Sequence, residues 1–65
     1  MKILLARINI EKNVIILKND MLEEYEFNLN DCKPLPKWAE RELVKLHFLS
    51  QADGWMFFVR TKSDK

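Results

Sequence analysis

Much of what could identify this chain is missing from it. Cys32 is the only cysteine, so no disulfide can form within the chain. His47 is the only histidine, and a structural zinc site needs four ligands, so no metal is expected. Gly54 is the only glycine, which leaves no glycine-rich loop to stabilise an oxyanion. No apolar stretch approaches the roughly 20 residues of a membrane helix. The start Met1-Lys2-Ile3-Leu4-Leu5-Ala6 is broken by Arg7 and Asn9 before a signal-peptide core can form. Neither sign of charge dominates: eleven basic residues face ten acidic ones, a net charge of +1. A dedicated nucleic-acid binder would show a clear basic excess, although a local basic patch remains open.

What is present is apolar surface in surplus. Hydrophobic residues make up 48% of the 65 residues, with no low-complexity run, so a folded chain is expected. Residues 1–65 read as a single domain whose last residues, 62–65, form a frayed polar tail. A chain of this size buries only about 60% of its unfolded surface. With disulfide and zinc excluded, self-association is the remaining source of extra stability. The strands support that expectation. A strand with one wet face alternates apolar and polar residues. Ile3 to Ile10, Val14 to Leu17 and Trp55 to Val59 do not alternate cleanly.

The first strand is expected from Lys2 to Ile10 and the second from Val14 to Lys18, joined by a turn at Glu11-Lys12-Asn13. Asn19-Asp20 marks the next turn. The third strand alternates clearly, with Tyr25, Phe27 and Leu29 on one face and Glu24, Glu26, Asn28 and Asn30 on the other. Pro34 and Pro36 then admit a helix start. The spacing of Leu35, Ala39, Leu43, Leu46 and Leu49 predicts a helix from Pro36 to Gln51, stopped at Asp53-Gly54. Glu40 and Glu42 suit its positive end. Trp55 to Thr61 is the last strand. The fold class expected is α+β: a two-layer sandwich of a mostly antiparallel four-stranded sheet, in the order β-β-β-α-β, with one helix on one face. The last strand lies either parallel to the third, through a right-handed crossover, or beside the first. The register places Leu4, Ala6, Ile8, Tyr25, Phe27, Leu29, Trp55, Phe57 and Val59 under the helix. It leaves Ile3, Leu5, one alternate set from Val14 to Leu17, Met56 and Phe58 on an open face, with Ile3, Leu5, Met56 and Phe58 expected to carry self-association.

Catalysis needs groups held together, and none are legible. Cys32 and His47 lack any feature that would bring them into contact. Glu23, Glu24 and Glu26, near Asp20 and Asp31, read as a solvated strand face that keeps an edge from pairing wrongly. Trp55-Met56-Phe57-Phe58 reads as core and self-association surface before it reads as a base-stacking platform. Lys37, Arg41 and Lys45 are spaced four apart, a basic stripe on the outer helix face, with Val44 and Phe48 beside it. Exposed apolar residues rimmed by charge mark an interaction surface.

The reading is therefore a small non-enzymatic binding protein, without cofactor, that docks onto another protein as an inhibitor or regulator and forms a homodimer or other homo-oligomer. The alternative is a dimeric nucleic-acid-binding regulator that uses Lys37, Arg41 and Lys45 with Arg60. The lone thiol suits the cytoplasm, of a cell or of an infected host cell. Five asparagines and eight lysines suggest an AT-rich genome, as in phages and plasmids. Because Cys32 has no companion thiol and no evident base, Cys32→Ser is expected to leave stability within about 0.5 kcal/mol of wild type in urea unfolding.

Overall fold

The structure, a computed structural model, describes residues 2–30 and 34–60. Cys32 and the 62–65 tail lie outside the described residues. The elements are β1 (Ile3–Asn9), β2 (Val14–Asn19), β3 (Glu24–Asn28), α1 (Lys37–Leu43), β4 (Leu46–Ala52) and β5 (Trp55–Arg60). They form an α+β fold with one sheet, ordered β3-β2-β1-β5-β4, in which every neighbouring pair is antiparallel. The sheet has five strands where four were expected. The last strand lies beside the first, which is the second of the two topologies left open by the sequence.

The turns follow from side-chain chemistry. Asn9 Oδ1 accepts the Lys12 N–H at 3.0 Å, and Asn13 takes the left-handed conformation with φ 53°. That closes the β1–β2 hairpin with the residue type that best tolerates positive φ. Asn19 is buried at the end of β2, and its Oδ1 accepts the N–H groups of both Met21 and Glu23 at 2.9 Å. Its amide donates to Glu23 Oε1 at 2.9 Å, so both polar atoms of the buried side chain have partners. One side chain thereby holds the β2–β3 turn, in which Leu22 sits at φ 65°.

The largest departure from expectation is the helix. Helix α1 stops at Leu43, and Leu46 to Ala52 is a strand. The loop after that strand is two residues long, since Ala52 pairs with Trp55. Asp53 and Gly54 have φ 54° and 81°, the two positive angles of a type I′ hairpin turn. Asp-Gly between apolar segments is a strong hairpin signal, and it competes here with a leucine spacing that also fits a helix. The hairpin gains a ladder to β5 and an edge-on contact between Phe48 and Phe58, whose ring centroids lie 5.7 Å apart.

The core lies between α1 and the sheet. Ile3, Ala6, Ile15, Leu17, Ala39 and Leu46 are buried, with Ile8, Tyr25, Phe27, Leu35, Trp38, Leu43 and Phe58 packed around them. Trp38 meets Tyr25 edge-on at 5.3 Å and Phe27 at 6.1 Å, which fixes the helix over the β3–β2–β1 half of the sheet.

Two bulges set which residues face the helix. The β1–β2 register shifts between Ile3 and Leu5, making Leu4 the extra residue. Ile3 and Ala6 are therefore both fully buried on the helix side, and Leu4 is exposed. The β4–β5 register shifts between Phe48 and Ser50, making Leu49 the extra residue. Of the residues expected on the open face, Leu5 is there, as is one alternate set of β2, Val14 and Ile16. Ile3, Met56 and Phe58 face the helix side, where Met56 pairs with Ile8 and Phe58 with Ala6. Trp55, Phe57 and Val59 occupy the open face instead.

A Cβ added at Gly54 would meet nothing within 4 Å, so the turn favours glycine for its backbone conformation. Gly54→Ala is expected to cost about 1–2 kcal/mol from the left-handed strain, and Gly54→Asn less. Thermal unfolding of the two variants would show the difference.

Candidate docking surfaces

The strand registers define the sheet face opposite α1 as a grid. Its middle row is Glu26, Ile16, Arg7, Phe57 and Ser50 across β3, β2, β1, β5 and β4. One flanking row is Glu24, Lys18, Leu5, Val59 and His47. The other is Asn28, Val14, Asn9, Trp55 and Ala52. Leu5, Val14, Ile16, Trp55, Phe57 and Val59 thus form an apolar field across the three central strands. All six are half-buried by their neighbours in the sheet, and no described helix or strand packs on them.

Arg7 stands in the middle of this field. Its guanidinium reaches Glu24 Oε2 at 3.3 Å on one side. On the other it lies 5.6 Å from the centroid of the Trp55 ring, in cation–π range. The ion pair is partly solvated and contributes little to stability. Its effect is geometric: Arg7 lies flat between an acidic edge and an aromatic surface. Arg7 and Lys18 balance Glu24 and Glu26 across the face.

The basic and apolar patch expected on the helix is distributed differently. Lys37 and Arg41 are exposed on α1, whereas Val44 and Lys45 lie in the short connection and Phe48 on β4. Val44 is 81% exposed and Phe48 55%, so both are at the surface as expected, although Phe48 projects from a strand. His47 is exposed, also on β4. Lys45 Nζ is 3.2 Å from Glu42 Oε2. Arg60, grouped with these cations in the nucleic-acid reading, donates to Glu42 Oε1 and, through Nε, to the Ile3 carbonyl at 3.1 Å.

Glu42 is the feature that sequence reasoning placed correctly in the helix but read only as a complement to the positive end of its dipole. It is buried, and its Oε1 also accepts the Ile3 N–H at 3.1 Å. Burial pushes its carboxyl up, but the Ile3 N–H, the Lys45 ammonium and the Arg60 guanidinium together outweigh burial and hold it below its ordinary value. The signal available in the sequence was only that an acid of the expected helix shares the chain with Arg60. Nothing in the spacing of the two residues indicates that they meet.

Among the described residues, no three histidine, cysteine or carboxylate side chains gather as metal ligands, and no helix is long and apolar enough to cross a membrane. No protein family, curated protein or solved structure matches the chain.

The Glu42 cluster makes a specific prediction. Glu42→Ala removes the carboxylate that pairs with the Arg60 guanidinium and accepts the Ile3 N–H, and is expected to destabilise the fold by roughly 2–3 kcal/mol in urea. The depressed carboxyl also fixes the pH response. Its stabilisation is complete above the unfolded value, about 4.3, and is lost as pH falls through the lower folded value. Acid unfolding of wild type should therefore be steeper than that of Glu42→Gln, which has no carboxyl to protonate at this position.

Proposed function

We propose that the chain is a small non-enzymatic binding protein that docks onto another protein as an inhibitor or regulator. The observation that carries this reading is the apolar field opposite α1, with Phe57 and Ile16 flanking Arg7 in the middle row. A contiguous apolar surface with a polar rim is characteristic of interaction sites. Its composition suits a protein partner. Aromatic residues and arginine dominate binding energy at such interfaces, and Trp55 and Phe57 lie beside Arg7 in this field. The two cations and two carboxylates of the face cancel, which favours an apolar protein surface over a phosphate backbone. The nucleic-acid reading has less support, because Lys45 and Arg60, two of its four cations, are engaged by Glu42. A cytoplasmic setting accords with the lone thiol.

The test compares immobilised wild-type protein with variants of each surface in lysate of the native host. A protein retained by wild type should be lost by Ile16→Lys and by Phe57→Lys, and retained by Lys37→Ala and Arg41→Ala. With that partner purified, Phe57→Ala should weaken binding by about 1–3 kcal/mol in calorimetry while circular dichroism stays unchanged. The opposite pattern, loss on Lys37→Ala and Arg41→Ala alone, would move the docking surface to the helix side. Retention on heparin that collapses with modest salt would favour the nucleic-acid reading instead.

A further inference from the structure

The two edges of the sheet are built differently. β3, at one edge, is five residues long and carries Glu24 and Glu26, a usual guard against pairing with another chain. β4, at the other edge, is seven residues long, and Leu46 to Ala52 contains no acidic residue, lysine, arginine or proline. Charge appears only at its two ends, as Lys45 before it and Asp53 after it. Phe48 and Leu49 in this strand and Val44 just before it are exposed, Leu49 at 60%.

We propose that a second copy of the chain pairs with this edge, β4 against β4 and antiparallel, about a two-fold axis normal to the sheet. Such an axis keeps each face of the sheet on its own side, so only residues of the same face can stand opposite each other. The bulge at Leu49 then permits a register centred on itself. Leu46 and Gln51 share the helix side, through their partners Arg60 and Met56, while His47 and Ser50 share the open side, through Val59 and Phe57. The register centred between Phe48 and Leu49 keeps both pairs in line: it sets Leu46 opposite Gln51 of the second copy, His47 opposite Ser50, and Phe48 opposite Leu49. Two Phe48 and two Leu49 side chains meet at the centre. A bulge can blunt an edge by twisting it away. Here it is the irregularity that brings like faces into line. The charges agree with the direction. Antiparallel pairing brings Lys45 of each copy beside the Ala52–Asp53 end of the other, whereas parallel pairing would set lysine beside lysine. This inference is independent of the docking reading above, because it uses the edge and leaves the open face free.

The test is the oligomeric state of the full chain together with register-specific crosslinking. Sedimentation at micromolar concentration should show a dimer, and Leu49→Lys, which places two cations at the axis, should weaken it at least about tenfold while circular dichroism is unchanged. In a Cys32→Ser background, His47→Cys/Ser50→Cys should give a covalent dimer on mild oxidation, since directly opposed residues of antiparallel strands lie within the roughly 4.4–6.8 Å range of a disulfide. His47→Cys/Gln51→Cys, with the two side chains on opposite faces, should not. A wild-type monomer overturns the proposal. So does a dimer that survives Leu49→Lys and fails to crosslink through positions 47 and 50, which would place self-association on the open face. If Leu49→Lys proves unfolded, the crosslinking pattern of the folded cysteine variants decides alone.

Discussion

One buried carboxylate holds the parts of this fold together. The β1–β5 ladder runs from Leu5 to Asn9 on β1, so Ile3 lies beyond its end. The Ile3 N–H and C=O would otherwise lack partners on that side, and each buried backbone group left unpaired is costly. Glu42 accepts from the N–H and Arg60 donates to the C=O, while the two side chains pair with each other. The cluster therefore substitutes side chains for ladder. It also explains how a seven-residue helix persists, since a helix this short is marginal without tertiary contacts. Glu42 anchors its last turn, and Trp38 anchors its first against Tyr25 and Phe27.

The first half of the chain is legible because each local signal has one reading. Asn13 closes the first hairpin, and Tyr25 and Phe27 alternate with Glu24, Glu26 and Asn28. The second half is ambiguous at two levels. Leucines at 43, 46 and 49 fit a helical stripe, while Asp53-Gly54 fits a hairpin, and only contacts with a distant strand decide between them. Trp55 to Val59 is apolar at every position, so alternation carries no phase, and the turn geometry sets which side chains face the helix. Ile3-Leu4-Leu5 fails for the same reason, because a bulge in an unbroken apolar run leaves no trace in the pattern. The surplus of apolar surface was readable. Its assignment to particular residues was not, apart from Leu5.

The two faces divide the work between them. The helix side is organised by burial and by the Glu42 cluster, which engages the cations nearest to it. The opposite side keeps its aromatic and aliphatic residues in a flat array, with Arg7 stretched between Glu24 and Trp55. In a dimer built through β4, both such arrays would point the same way on one ten-stranded sheet. A target with two copies of the complementary surface would then gain from simultaneous engagement.

The position of β1 at the centre of the sheet has a consequence for how the chain is made. β1 and β2 can zip together as soon as both have left the ribosome, because only a short turn separates them. The other side of β1 must wait for β5, which is translated about fifty residues later, as contacts of large sequence separation form slowly and late. During that interval the strand destined for the middle of the sheet has an open flank of hydrogen-bonding groups. The nascent chain thus passes through a stage whose stickiest surface is one the finished protein never shows.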